Sequence, residues 1–586
     1  MRVLICLFFI ALSIKNHGQE PPIGAQEKVV FQNTAQESIF VHYNSSLYMV
    51  GEYMYFKVYC LDAKTKRLSR ISKVAYLTLI NKGGERVFQQ KIRLQDGFGQ
   101  GDFFLPVDTP SGSYKLVAYT KWMGNWGQES FFQDDVIILN PYSNQQKDFI
   151  EQGTVKNGFG SDTRIPKVLE PGESTIRMIP SKKKFGKREP VTLAIKGTGS
   201  KKIPDGEYSI SVRKSDAIFP NWKKTTSSHI ALTQVSTPTF EGNIILPELR
   251  GELISGKVIT TDPNQSKDNL KVALSIPGKD YQLKIAKTDS LGQFYFNIDK
   301  PYLADNVIIQ ILEEQVDGLT LKMDEDPIAI NTNEVQFKSF ELSPEMNELI
   351  LKRSIQNQVE NAYFEVKPDT VVSQAGKLNF YGKKAKVFLL DDYTRFPTIK
   401  ETALEILDNV WLSQTKEDKY FFRLRTLNGE FDNSEFKSLL VVDGIFVKDQ
   451  DAFIRNFSAN LIERINVVRQ YYRMGSQIFD GIVDIQTFDF KYQTSAKENG
   501  FLALQLDRQT EIKNYFRQIY SDSTKKTLAR VPDLRSQLLW LPSLNVEQDE
   551  TVTFFTSDVS GNFEISLEGI TDGGEPISLK ETIFVE

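Results

Sequence analysis

The stretch PSGSYKLVAY (110–119) decides how this chain is read, because its pattern returns 94 positions later as PDGEYSISVR (204–213). Pro, Gly and Tyr keep the same spacing before an alternating run. Pro fixes φ, Gly accepts a positive φ, and Tyr opens the inward-facing row of a strand. Turn chemistry repeated at that distance predicts two copies of one sandwich-sized unit. A second pair is TDSLGQFYF (288–296) and SDVSGNFEI (557–565), with Asp, Gly and Phe in register. An Asx turn that closes through a left-handed glycine into an aromatic strand explains this spacing. The plainer reading of both pairs is that β-turns simply reuse Asp and Gly.

The surrounding sequence reads the same way. YMVGEYMYFKVYCL (48–61) alternates and is rich in aromatics, and 74–80 is a second strand before the turn Asn81-Lys82-Gly83-Gly84. GFGQG (97–101) reads as a turn leading into a strand at 102–105. A G-x-G loop cradles phosphate only where a helix N-terminus follows, and FFLP follows here. Further strands are expected at LISGKVIT (253–260), KVALSI (271–276) and FYFNI (294–298). The polar, glycine-bearing stretch 144–164 reads as a linker.

After residue 340 the period changes. Ser343-Pro344 has the form of an N-cap followed by Pro at the first helical position, with a helix to about Asn361. KVFLL (386–390) is a short strand, and Thr398 with Glu401 forms a capping box opening TIKETALEIL. Asp443-Gly444 is a turn, 451–457 a short helix, and IERINVV (462–468) and GIVDIQT (481–487) are strands. This is a small α+β module in an otherwise β chain, and β patterning resumes from Leu538.

Composition narrows the function. The chain has 586 residues, 71 Lys+Arg against 75 Asp+Glu, two Cys and three His. Near-neutral charge argues against nucleic acid as main partner, and two cysteines exclude a disulfide scaffold. Residues 1–18 read as a secretory signal: Arg2 precedes a 12-residue apolar run, Val3 to Ile14, too short to span a bilayer. Cleavage at Gly18 leaves Cys60, His42 and His229 as the soft-ligand inventory. A zinc site would need both histidines, 187 positions apart. Asp443, Asp449 and Asp451 lack the loop of a strong calcium site and fit a turn and a helix cap better. No catalytic, metal or cofactor site is predicted. Loop aromatics Trp122 and Trp126, and the cluster Arg464, Arg469, Tyr471, Tyr472 and Arg473, are the candidate partner-binding residues. Packing over the sandwich end (for the tryptophans) and a solvated face (for the Arg/Tyr cluster) are the plainer alternatives.

Three segments carry a family resemblance. VGEYMYFKVY (50–59), SKVAYLTLINKGGERV (72–87) and LPVDTPSGSYKLVAYTKWMGNW (105–126) resemble, in order, the second macroglobulin domain of the α2-macroglobulin superfamily. GKVITTD and TDSLGQFYF, within 251–311, resemble carboxypeptidase regulatory-like domains. LLVVDGIFV (439–447) and LIERINVVRQYYRMGSQIFDGIVDIQT (461–487) resemble the plug of TonB-dependent receptors. The combination resembles exported proteins of Bacteroidota. It implies a mainly β fold: a signal peptide (1–18), a macroglobulin-like sandwich (19–143), a linker (144–170), a second such sandwich (171–246), a carboxypeptidase regulatory-like sandwich (247–340), a helical connector (341–379), a plug-like α+β domain (380–490) and a C-terminal sandwich (491–586). Only 99 residues follow Thr487, too few for a receptor barrel. Cys60 lies in YCLDA, not beside the Gly-Glu-Gln of a thioester. The expected function is a non-enzymatic exported binding protein, periplasmic or at the outer membrane, that docks on or occludes an outer-membrane barrel or secretion complex. The alternatives are a macroglobulin-like endopeptidase inhibitor without a thioester and an enzyme using carboxylates.

Overall fold

A computed structural model describes residues 34–143, 174–199, 202–215, 221–236, 244–302, 304–372, 380–425, 436–492, 500–521, 528, 530–544 and 551–586. The signal-peptide reading and the linker at 144–170 lie outside the described residues. The fold is mainly β, built from β-sandwiches with one α+β module. Among the described residues no helix is long and apolar enough to cross a membrane.

The first sandwich packs a three-stranded sheet (Glu37–Tyr43, Tyr53–Asp62, Phe98–Phe104) on a five-stranded one (Leu47–Met49, Phe132–Leu139, Gly112–Tyr119, Val74–Asn81, Arg86–Arg93). Alternate residues of both inner faces fill one core, with Phe40, Phe56, Tyr76, Leu116 and Cys60 fully or nearly fully buried. Within GFGQG only Gly97 belongs to the turn, with a φ of +90°, and the strand begins at Phe98, earlier than expected. A Cβ on Gly99 would lie 2.6 Å from the Arg93 carbonyl oxygen, and one on Gly101 would lie 2.6 Å from the Phe56 ring. These glycines serve close approach, which composition does not distinguish from a turn.

The second sandwich is assembled from two distant pieces of chain. Gly206–Lys214 lies between Gly561–Thr571 and Gln537–Leu541, and Pro190–Gly197 lies between Ile176–Pro180 and Thr551–Phe555. The sequence reading placed separate sandwiches at 171–246 and 491–586, but their strands pair directly. Each segment alternates cleanly, but only their mutual pairing buries Val191, Tyr208, Phe554 and Phe563 in one core.

A third unit sits inside this gap. One of its sheets orders Gln293–Ile298, Glu252–Thr260 and Leu319–Met323. The other orders Gln282–Lys287, Lys271–Ile276, Asn306–Ile311 and Phe501–Gln505. That last strand follows the α+β module, so the module is inserted within the third unit, and the third unit within the second sandwich.

The paired turns are explained unequally. The Tyr114 hydroxyl donates to the Pro110 carbonyl at 2.7 Å, and the Tyr208 hydroxyl donates to Pro204 at 2.8 Å. The same i to i−4 bond clamps both strand entries, as in the tyrosine corner of sandwich folds. In the other pair, Gly292 and Gly561 both have positive φ and Phe294 and Phe563 are both buried. Asp289 closes its own turn by accepting from Leu291 and Gln293, whereas Asp558 binds Arg188 and accepts from Asp533 N–H.

The helix expected from Ser343-Pro344 begins later, at Met346, and runs to Ala362. Ser343 supplies a carbonyl to Met346 N–H rather than a side-chain cap. This helix is held on the first sandwich by Arg353, which grips Glu52 at 2.7 Å through two nitrogens. Glu52 also takes Arg213 of the second sandwich at 2.8 Å. Burial raises the Glu52 carboxyl, and the two guanidiniums outweigh it, holding the group below its ordinary range.

Candidate functional site: the open edge of the α+β module

The module is a five-stranded sheet in the order Lys386–Leu389, Ile462–Val468, Ile482–Thr487, Leu439–Val442, Ile445–Phe446. One face is covered by two short helices, Ile399–Glu405 and Gln450–Asn456. Their apolar residues Ile399, Ala403, Phe453 and Ile454 pack on Leu440, Ile465 and Val483. Thr398 caps the first helix by accepting from Glu401 N–H, and Asp449 caps the second by accepting from Ala452 N–H. Asp443 is buried in the turn. It accepts from Thr487 N–H at 2.7 Å, the Thr487 hydroxyl at 2.5 Å and Tyr492 N–H at 2.9 Å. These aspartates therefore hold a turn and a cap. Among the described residues no group of three His, Cys, Asp or Glu is placed to hold a metal ion.

The other face lies on the third unit, where Leu439, Val441 and Ile482 meet Ala273 and Ile285. Asp484 is buried there against the Tyr381 hydroxyl at 2.5 Å and Asn466 at 3.1 Å. Burial raises its carboxyl. Those two hydrogen bonds and the Arg464 charge oppose that rise without cancelling it.

The two sheet edges differ. At one edge the third unit closes the strand: Phe446 N–H donates to Ser275 Oγ at 3.1 Å, and Gln310 donates to the Phe446 carbonyl at 2.8 Å. At the other edge, Lys386–Leu389 has a single strand partner, 462–468. Phe388 points into the core, while Val387 and Leu389 stay 53% and 45% exposed. Tyr393, Leu461 and Phe488 are also exposed near the end of this strand. Arg395 ties them locally: it donates to the Ile462 carbonyl at 2.9 Å, and its guanidinium carbon lies 5.2 Å from the centre of the Phe488 ring.

The predicted partner-binding residues do not form one surface. Trp122 is buried and donates to the Ala35 carbonyl at 2.9 Å. Trp126, packed edge-on against it, is also buried and donates to Ser236 at 2.9 Å. The loop carrying them folds inward as a 3-10 turn capped by Thr120, so these rings hold neighbouring segments rather than face solvent. Arg464 lies opposite Leu389 in the sheet, next to the open edge. Arg469 is turned back onto the Arg425 carbonyl at 2.6 Å, and Tyr472 packs on Phe380. Tyr471 is exposed just before the small ribbon 472–479, and Arg473 is exposed within it, opposite Ile478. Sequence reasoning missed Val387 and Leu389, although the pattern KVFLL was recognised as a strand. Its edge position was the missing information.

No family model and no curated protein matches the chain. Among solved structures, native Escherichia coli α2-macroglobulin aligns with 94% of this chain and 40% of its own length, at 9% identity and a TM-score of 0.22. A Salmonella α2-macroglobulin mutant aligns with 97% of this chain and 40% of its own, at 9% identity and TM-score 0.22. Dimeric latent PorU from Porphyromonas gingivalis aligns with 50% of this chain and 33% of its own, at 11% identity and TM-score 0.15. The chain thus spans about 40% of the length of the bacterial macroglobulins it is similar to. Scores this low assign no family.

Proposed function

We propose that this chain is a non-enzymatic, exported binding protein whose α+β module docks an extended segment of a protein partner along the 386–389 strand. The observation that carries this reading is the asymmetry of the five-stranded sheet. One edge is sealed by Ser275 and Gln310, and the other presents Val387 and Leu389 beside Tyr393, Leu461 and Phe488. An added strand gains main-chain hydrogen bonds from such an edge, and its alternate side chains meet the exposed apolar residues. The plug resemblance of 439–487 makes the partner an outer-membrane barrel or secretion component, with the sandwiches as spacers and docking supports.

The test is site-specific photocrosslinking from position 389, with position 291 on the third unit as control, in solubilised outer membranes. A barrel protein crosslinked from 389 and not from 291, and lost when Val387→Glu/Leu461→Glu is added with the crosslinker kept at 389, is the expected result. Equal crosslinking from both positions, or capture unchanged by the double substitution, overturns it.

The second reading is a macroglobulin-like endopeptidase inhibitor without a thioester. Its support is the tandem-sandwich architecture; the lack of a thioester in this reading fits Cys60, which is buried in the first sandwich with its thiol pushed well up by burial and by Glu37. Protection of a protein substrate at stoichiometric excess of this chain tests it, and undiminished proteolysis eliminates it.

A further inference from the structure

A cavity of about 600 Å³ lies where the first sandwich, the second sandwich and the ribbon Thr370–Val371/Lys513–Asn514 meet. That volume is in the range of sites that enclose small ligands. Its walls are aromatic: Phe98 comes from the first sandwich, Trp540 from the second, and Tyr515 and Phe516 from the segment after the ribbon. The charged residues lining it are all basic: Arg93, Lys513 and Arg517. Lys513 is neutralised by Asp102 at 2.9 Å. The side chains of Arg93 and Arg517 have no hydrogen-bond or ion-pair partner among the described residues.

A buried donor points the same way. Trp540 is 3% exposed, yet its indole N–H has no hydrogen-bond partner among the described residues. Tyr515, 7% exposed beside it, has its hydroxyl turned to the Asp102 carboxylate. Buried polar hydrogens are nearly always answered by an acceptor, so the unanswered indole N–H in the cavity wall marks a place for one. An indole N–H can only donate. Burial and the nearby carboxylate of Asp102 keep the Tyr515 hydroxyl protonated. Both rings are fixed in place by Tyr55, which stacks on Trp540 with centroids 6.0 Å apart and meets Tyr515 edge-on at 5.1 Å. The Trp540 donor is thus held in position before any ligand arrives.

We propose that this cavity binds an organic carboxylate with an aromatic or branched apolar body, either free or as the C-terminal residue of a peptide. Arg93 and Arg517 supply the charge, Trp540 the neutral hydrogen bond, and Phe98, Tyr515 and Phe516 the apolar contact. The site is separate from the 386–389 edge, and its failure leaves that reading untouched.

The experiment is calorimetric titration of the full chain with 3-phenylpropanoate, 3-phenylpropanamide, and a short peptide ending in Phe as free acid or as amide. The acids are expected to bind at least about ten-fold more tightly than the amides, because charge-assisted bonds are the stronger ones. Trp540→Phe removes the donor together with part of the buried indole, whereas Arg517 is exposed, so Arg517→Gln does not threaten folding. Each is expected to weaken acid binding by roughly five-fold, Arg517→Gln with the melting temperature unchanged and Trp540→Phe with a lowered one but a folded chain. Tighter binding of the peptide acid assigns a chain terminus as the natural source, and equal binding assigns a free acid. Absence of saturable binding by either acid, equal binding of acid and amide, or unchanged affinity in both variants overturns the proposal.

Discussion

His42 offers a sharp test of how the first two sandwiches are joined. It is fully buried between them, with Nδ1 2.6 Å from Ser209 Oγ and Nε2 3.4 Å from Ser566 Oγ, and Trp540 packed over its ring at 5.1 Å. Burial, followed by the charges of Lys223, Lys57 and Lys580, holds its imidazole neutral to well below the ordinary range. In the unfolded chain it titrates near 6.5. The folded pKa is the depressed one, so the unfolded chain takes up a proton that the folded chain refuses. The stabilisation is complete above the unfolded pKa and is lost as pH falls below it. The loss is about 1.4 kcal/mol per pH unit, or about 2 kcal/mol between pH 7.5 and 5.0. Burial likewise lowers Lys57 and Lys223, each to about 8, so both are mostly charged at pH 7.5, become fully charged as the pH falls, and are common to wild type and variant. Glu568, raised by burial, titrates in the opposite sense and is common to wild type and variant. Guanidinium unfolding of wild type and His42→Gln at four pH values therefore isolates the histidine in their difference. The variant starts less stable, and the gap should close by about 2 kcal/mol on going to pH 5.0. A gap that stays constant to within a few tenths of a kcal/mol would refute the assignment of a neutral, proton-excluding His42.

Other expectations follow from particular contacts. Glu52→Gln leaves the Arg353 and Arg213 guanidiniums uncompensated at a buried junction, so denaturant midpoints should report a loss of about 3–5 kcal/mol. Adding Arg353→Met should recover part of it. Tyr114→Phe and Tyr208→Phe each remove one hydroxyl bond to a proline carbonyl, and each should cost about 1 kcal/mol in calorimetry; markedly unequal losses would count against a shared corner. Gly475→Ala places a Cβ 2.1 Å from the Ile285 carbonyl oxygen at a φ of +54°, so thermal unfolding should show a destabilisation above about 1 kcal/mol where the module meets the third unit. His229, lowered to about 3 by burial and by Lys224 and Lys66, should show no ring titration by nuclear magnetic resonance above pH 5.

Local chemistry was legible in the sequence, and long-range pairing was not. The Pro-Gly-Tyr turns announced two strand entries because φ preferences act within a few residues, and the capped helix at Thr398 could be read for the same reason. The tyrosine hydroxyl bonds to Pro110 and Pro204 are also local, and the four-residue spacing was visible without its meaning. By contrast, nothing near Gly206–Lys214 says that its neighbours are Gly561–Thr571 and Gln537–Leu541, since alternation specifies a face and not a partner. Trp122 and Trp126 were misplaced because a loop aromatic reads alike whether it turns outward or folds back over its own sandwich. The cavity was invisible because Arg93, Tyr515 and Trp540 come from three separate segments. The edge status of Lys386–Leu389 likewise depends on the order of strands in space.

The nesting of one unit within another sets an order of events during synthesis. The first sandwich has all its strands once residue 139 has been made, and the α+β module once residue 487 has. The third unit waits for the strand at 501–505. The second sandwich, begun at residue 176, lacks the strands on both sides of Gly206–Lys214 until residues 537–571 exist. Through that interval its early strands carry unpaired edges and an uncovered apolar face, the condition in which chains mispair and aggregate. A chain interrupted before Gln537 would hold three nearly finished units and one half-built sandwich, whose exposed strands would mark it for chaperone capture or proteolysis.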